Sequence, residues 1–322
     1  MLNLITDNPY LLLLGIISAF AFTIMLMRAL ADRLPHDQGR AFAVDGALSK
    51  GKVRGVGIVF IGVYAVCNLL FNQVSLEMII YTIVIVLCML TGYFDDAAEK
   101  PWNEYLKGAL DLVLAIVVAV TYLYFNGNSF IIGFLGKRTV TLPYWLFGIL
   151  IIALVWCAIN VTNCTDGVDG LSATLTIITL GSFYFLFRNL NDLEGTSYSI
   201  ILFITVLIAY LWYNATPSTM LMGDAGSRAM GMMIAITALL SKSPLLYIPF
   251  SFVMIMDGGL GLFKVAVIRF LKIKILTNVR CPLHDQARKV NEWSNTQVVF
   301  RFAIIQFIIS LAFEWGFSFV VR

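Results

Sequence analysis

Charge is what this chain has least of. Only 13% of its 322 residues are Asp, Glu, Lys or Arg, against 60% that are hydrophobic, and the mean hydropathy is +0.87. A water-soluble globule needs more surface charge than this, so lipid is the expected solvent for most of the chain. A net charge of +3 is too small to indicate nucleic-acid binding. Histidine is rarer still, limited to His36 and His284. The five cysteines stand singly: Cys67, Cys88 and Cys157 lie in apolar runs, where cysteine behaves as a small hydrophobe, and Cys164 and Cys281 lie in polar loops. No Cys-x-x-Cys or Cys/His spacing suits zinc, so neither a disulfide nor a structural metal is expected. A cleavable signal pattern is missing too. Asp7 precedes the first apolar run where a basic segment would be needed, so that run reads as a permanent span. No internal repeat or linker divides the chain, which reads as a single polytopic domain over residues 1–322.

What is present is a succession of apolar runs. A helix needs about twenty mainly apolar residues to cross the hydrocarbon core. Ten runs qualify, near residues 9–29, 55–72, 77–94, 106–125, 143–160, 170–187, 197–214, 226–241, 245–271 and 298–319. The expected fold is therefore an all-α integral membrane protein with about ten transmembrane helices. Seventeen of the 22 basic residues fall in segments 28–54, 95–107, 214–228 and 264–301. The positive-inside rule makes these cytoplasmic and turns both termini outward. One outward segment, Phe130 to Leu142, is rich in β-formers around a Gly-Lys turn, and predicts a short external β-hairpin.

About a dozen of the nineteen acidic residues collect on the cytoplasmic side. Asp95 and Asp96 end the third run. Asp166 and Asp169 lie in Asn163-Cys164-Thr165-Asp166-Gly167-Val168-Asp169-Gly170, between the fifth and sixth. Asp224 lies in Met222-Gly223-Asp224-Ala225-Gly226-Ser227, and His284 with Asp285 precedes the last run. Charge at a membrane-helix end is expensive to hold without a use. Oxygen ligands such as Asp and Asn suit magnesium, which takes one or two carboxylates plus substrate phosphates. The glycines beside Asp166, Asp169 and Asp224 allow backbone amides to approach phosphate oxygens at helix starts. Together these features predict a phosphoryl-transfer site at the membrane surface.

Other signals are weaker. Gly46 to Lys52 imitates a P-loop, but Val53 replaces its Ser/Thr and no strand precedes it. Asn160, Asn163 and Asn214 begin Asn-x-Thr sequons on the wrong side for glycosylation, and His36 reads as a solvated loop residue. Asp111 and Asp257 lie within apolar runs, where a carboxylate is either paired or functional.

The Asp95-Asp96 pair, the run from Asn160 to Leu171 and the Met222-to-Ser227 motif resemble the polyprenyl-phosphate N-acetylhexosamine-1-phosphate transferases. The tail, with Pro282-Leu283-His284-Asp285, Trp293-Ser294, Gln297-Val298-Val299 and Arg301-Phe302, is most similar to the muramoyl-pentapeptide branch of that family. The resemblance covers nearly the whole chain in matching order. It implies that undecaprenyl phosphate in a bacterial plasma membrane attacks the β-phosphate of cytoplasmic UDP-N-acetylmuramoyl-pentapeptide, giving lipid I and UMP with magnesium as cofactor. A homodimer is compatible with it. It implies Asp224 and Asn163 as metal ligands, Asp95 as the base that activates the lipid phosphate (a covalent aspartyl intermediate is the competing scheme), and Asp96 and His284 as further catalytic residues. Asp96, Asp166 and Asp169 would organise the metal, the nucleotide and nearby lysines. Lys50, Lys52 and Lys107 would contact phosphates, with Asn160, Asn214 and Asp285 completing the substrate-binding set.

Four departures stand out. Asp285 and Gln286 replace two histidines of a His-His-His motif, and Lys52 to Gly57 replaces a Thr-Pro-Thr-Met-Gly-Gly stretch. Leu221 stands where an aromatic residue stacks on uracil, and Glu99 where a lysine follows the Asp pair. The altered histidine motif keeps a sister transferase using UDP-N-acetylglucosamine as the alternative. A secondary transporter is the remote one, since its coupling carboxylates would lie near the midplane of inverted repeats.

Overall fold

The computed structural model describes residues 9–39, 49–73, 75–98, 100, 102–132, 138–190 and 194–321. Residues 46–48 of the imitation P-loop, together with Glu99, Lys137 and both chain ends, lie outside them. Seven helices among the described residues are long and apolar enough to cross a bilayer. They are α1 (Pro9–Leu30), α3 (Leu76–Ala97), α4 (Glu104–Asn126), α5 (Tyr144–Thr165), α6 (Leu171–Leu190), α7 (Glu194–Asn214) and the last helix, Asn295–Val321. A broken helix, Pro244–Phe250 and Phe252–Leu271 bent by 73°, would make an eighth.

Of the ten expected spans, seven or eight meet this test among the described residues. Helix α2 (Gly57–Phe71) has 15 residues, which at 1.5 Å per residue reach about 22 Å of a roughly 30 Å hydrocarbon core. Helix α8 (Gly223–Leu240) has 18 residues but opens on Asp224 and Arg228, and every residue in it except Asp224 is buried. Its surroundings are protein rather than lipid, so its composition need not be uniformly apolar.

Local chemistry explains the helix ends. Ser75 accepts a hydrogen bond from the Met78 amide (3.1 Å) and Asn103 from the Leu106 amide (2.9 Å), capping α3 and α4. Gly127, at φ +76°, ends α4 and turns the chain into an antiparallel hairpin, β2 (Ser129–Ile132) with β3 (Arg138–Thr141). The expected hairpin is present. It is pinned by the Ile131 amide on the Lys242 carbonyl (2.7 Å) and by Phe130 stacked on Phe147.

Helix α8 is the central post, packed against α2, α3 and α5. Glycine permits this closeness. A Cβ on Gly57 would lie 2.2 Å from the Gly226 nitrogen, one on Gly92 2.4 Å from the Asp224 carbonyl, and one on Gly231 2.5 Å from the Ala158 oxygen. Gly92 therefore brings the backbone of α3 onto the start of α8, one turn before Asp95 and Asp96. A small parallel pairing, β1 (Val53–Arg54) with β4 (Met220–Leu221), draws Arg54 to the same place. Helices α1, α3, α5 and α7 end, and α2, α4, α6, α8 and the last helix begin, at this one end of the bundle.

Gly92→Val should force these backbones apart, at an overpacking cost of about 1–3 kcal/mol. A lower melting temperature in detergent is expected, read by tryptophan fluorescence. Gly62→Ala, where a Cβ meets nothing within 4 Å, should melt like the parent.

Candidate active site

A basin of about 440 Å³ opens at this end of the bundle, bordered by Lys52, Arg54, Asn163, Asp166, Asp169, Asn214, Leu221, Asp224, Arg288 and Asn295. Its anionic wall is built around the start of α8. Asp96 Oδ2 accepts the Ala225 amide (3.2 Å) at that helix N-terminus, where partial positive charge favours a carboxylate. Its Oδ1 receives Arg54 through Nε and Nη2, both at 2.8 Å, and its side chain is fully buried. Gly223 is required here twice over: it sits at φ +67°, and a Cβ would fall 2.1 Å from Asp96 Oδ2.

Arg54 also reaches Asp37 (3.3 Å) and Asp224 (3.6 Å). Burial opposes its charge, but the carboxylates of Asp96, Asp224 and Asp37 outweigh that and raise its pKa. Lys107, from α4, bridges Asp95 and Asp224, lying 3.4 Å from the latter. Asp95 also accepts the Trp102 amide at 2.7 Å. Among the described residues, four carboxylates thus share two cations, a formal excess of two negative charges.

The opposite wall is the loop between α5 and α6. Asp169 accepts the Ser218 amide (3.0 Å), and Lys52 donates to Ser218 Oγ (2.9 Å) while lying 3.8 Å from Asp169. Asn214 clamps the same loop, accepting from Gly170 N (2.8 Å) and donating to the Met220 carbonyl (2.9 Å). Asn163 donates its amide to Ser227 Oγ (3.1 Å), which leaves its carbonyl oxygen as the atom able to meet a cation.

His284 is buried against this loop. Its Nδ1 lies 2.8 Å from Asp257 Oδ2, and its backbone amide donates to Asp257 Oδ1 at 2.7 Å. Asp257 occupies a π-helical turn, Ile255–Gly259, and is fully buried. The pairing assigns the proton to Nδ1 and leaves Nε2 directed at Gly167, where an added Cβ would lie 2.2 Å from it. Asp285 is 3.7 Å from that Nε2 and takes Arg288 at 2.7 Å, while Arg288 also donates to the Gly167 carbonyl (3.1 Å).

Of the residues singled out in the sequence, Lys52, Asn163, Asp166, Asp169, Asn214 and Asp224 border the basin. Asp95, Asp96 and Lys107 stand behind it through their contacts at the start of α8, and His284 and Asp285 stand behind the α5–α6 loop. Lys50 and Asn160 are apart from it: Lys50 is exposed in a turn, and Asn160 donates to Asp111 (3.5 Å) and the Trp156 carbonyl (2.8 Å). Both polar groups of Asn214 are committed to backbone. His36 is exposed and pairs only through a backbone bridge with Val53. Asp37, Arg54, Ser218 and Arg288 were not anticipated. Only Arg288 had a local signal, three residues beyond Asp285 on one helix.

Among the described residues, no three His, Cys, Asp or Glu side chains form a ready metal cage. Magnesium takes one or two carboxylates and draws the rest of its coordination from substrate phosphates and water. The oxygen donors of Asp224 and Asn163, beside a wall with two surplus negative charges, fit such an ion.

Residues 78–242 match Glycosyl transferase family 4. A phospho-N-acetylmuramoyl-pentapeptide-transferase of Treponema pallidum (strain Nichols) is 38% identical over 327 residues, 94% of this chain and 89% of that protein. Proteins of the same name from Dictyoglomus turgidum (25% identical, 94% of this chain and 96% of that protein) and Borrelia hermsii (30% identical, 62% and 61%) are also similar.

His284→Ala should lower turnover at least a hundredfold without unfolding the protein, measured as initial rate beside a melting curve. Asp257→Asn, which keeps the shape but weakens control of the tautomer, should fall between that variant and the parent.

Proposed function

This chain belongs to glycosyl transferase family 4, in its phospho-N-acetylmuramoyl-pentapeptide-transferase branch, and from that membership we propose the reaction it runs and the residues that run it. The protein is a phosphoglycosyl transferase of a bacterial membrane. It transfers phospho-N-acetylmuramoyl-pentapeptide from its UDP derivative to undecaprenyl phosphate. The N-acetylglucosamine donor is not favoured, because the relatives that span this chain carry the muramoyl name, and membership of this family removes the transporter reading.

An oxygen of the lipid phosphate attacks the β-phosphorus of the donor. A new P–O bond forms as the bond to the bridging oxygen breaks, and UMP leaves with the electron pair. One phosphoanhydride replaces another, so the step is readily reversible.

The observation that carries the reading is the convergence of Asp95, Lys107, Asp224 and Arg54 at the start of α8. Lys107 is the cation that meets the incoming phosphates, and Lys52, steadied by Ser218 and Asp169, meets them from the other wall. Asp95 takes up the last proton of the lipid phosphate. A phosphate monoester has a second pKa of about 6, so little base strength is needed. A covalent aspartyl intermediate is the competing scheme; the contacts of Asp95 with the Trp102 amide and Lys107 bear equally on both. Asp96 and Asn214 position the wall and the loop rather than touch substrate. His284, its tautomer set by Asp257, packs Nε2 against Gly167 and so positions the loop that carries Asp166 beside the donor.

Magnesium, held by Asp224 with Asn163, would supply positive charge to the diphosphate as it is cleaved. The distribution of lysine and arginine supports a plasma-membrane protein whose basin faces the cytoplasm and whose termini and hairpin face outward. On this reading α2 and α8 complete ten crossings within one domain.

Purified protein given undecaprenyl phosphate and each radiolabelled donor should make lipid product from the muramoyl-pentapeptide donor; product from UDP-N-acetylglucosamine alone would reverse the substrate assignment. Asp224→Asn should reduce magnesium-dependent UMP release at least a thousandfold while the variant stays folded. Near-parent release would remove Asp224 as the metal ligand.

A further inference from the structure

One buried ion pair lies outside the basin. Asp111 of α4 pairs with Arg228 of α8, and each side chain is 3% exposed. A charged pair at this depth is expensive to bury and seldom adds net stability relative to a well-packed apolar pair. Its value has to lie in geometry.

Its placement shows which geometry. Asp111 stands four residues beyond Lys107, and Arg228 four beyond Asp224. Both helices start at the basin and run away from it in parallel. Residues four apart on a helix share a face, so Lys107–Asp224 and Asp111–Arg228 are successive rungs of one ladder, with the charges exchanged between helices. Helices α3 and α5 each pack against both α4 and α8, whereas α4 and α8 lack comparable packing on each other. The two therefore face across a diagonal that long side chains bridge.

The rungs differ in kind. In the upper rung, Lys107 is 28% exposed and shared between Asp95 and Asp224, so it can move when phosphates arrive. The lower rung is closed. Asn160 also donates to Asp111, and among the described residues Nε and Nη1 of Arg228 find no acceptor, so Asp111 is the main compensation for that guanidinium. An axial slip of one residue, about 1.5 Å, would separate a buried charge from its partner.

We propose that the Asp111–Arg228 pair is a positioning device that locks the axial register of α4 against α8, and thereby holds Lys107 between Asp95 and Asp224 for phosphoryl transfer. The proposal rests on the reading of Lys107 and Asp224 as reaction-site groups. It assigns Asp111 and Arg228 no contact with substrate.

Removing one partner strands a charge and tests only folding. The informative variant is Asp111→Leu with Arg228→Met, which replaces the pair by apolar volume. It should melt within a few degrees of the parent. Its kcat should fall at least tenfold while donor KM changes less than threefold. Lys107, released from its register, should label several-fold faster with an amine-reactive acylating reagent in the absence of substrates, read by peptide mass spectrometry. A folded double variant with kcat within twofold of the parent and unchanged Lys107 labelling would overturn the proposal. Should that variant not fold, the near-isosteric Asp111→Asn with Arg228→Gln is read by the same criteria. The parent, assayed alongside, separates the two ideas: an inactive parent defeats the functional reading, and an active parent with an unaffected variant defeats the register lock.

Discussion

The contact on which the basin depends is the one between Asp96 and the first turn of α8. The carboxylate accepts the Ala225 amide and binds Arg54, and so joins α3, α8 and the strand segment before α2 in one buried knot. Helix N-termini carry unsatisfied amides and partial positive charge, and a carboxylate there is stabilised on both counts. With α8 seated, Asp224 points into the basin from a fixed turn and Ser227 is placed to orient Asn163. The carboxylates of this wall, Asp95, Asp96 and Asp224, all meet at that helix start.

A bilayer protein has few ways to hold so many carboxylates. Here they are compensated by a small number of cations, each serving more than one partner. Arg54 is shared by Asp37, Asp96 and Asp224, and Lys107 by Asp95 and Asp224. Sharing leaves the wall negative overall while giving every carboxylate a partner. The Asp257–His284 pair follows the same economy on the far wall, where a buried carboxylate both fixes a backbone amide and selects the imidazole tautomer.

The comparison of sequence and structure turns on range. Asp95, Asp96, Asp166, Asp169, Asp224 and His284 were legible because each stands at the polar end of an apolar run, where lipid makes charge conspicuous. Arg54 and Asp37 were not, because they gain their meaning from β1 pairing with β4, a contact across more than 160 residues that no local pattern announces. Length and composition support seven or eight of the ten expected spans among the described residues, for a related reason. Hydrophobicity reads α2 and α8 as membrane helices, but one is short and the other is enclosed by protein, and neither property is written in composition. Asp257 was seen as an intramembrane carboxylate, either paired or functional, and its contact with His284 shows it paired.

Composition and motif order were enough to establish a helical membrane protein, the clustering of its acidic groups at helix ends, a β-hairpin near residue 130 and the family. These follow from local rules: apolar length, turn chemistry and the expense of charge in lipid. Packing was needed for the rest. It assigned Asp96 to a helix start rather than to open solvent, gave Asn214 to the backbone and Asn160 to Asp111, and aligned Lys107–Asp224 with Asp111–Arg228. Such partnerships depend on how close two backbones approach, and in this protein glycines such as Gly92 and Gly57 set that distance only once the helices meet.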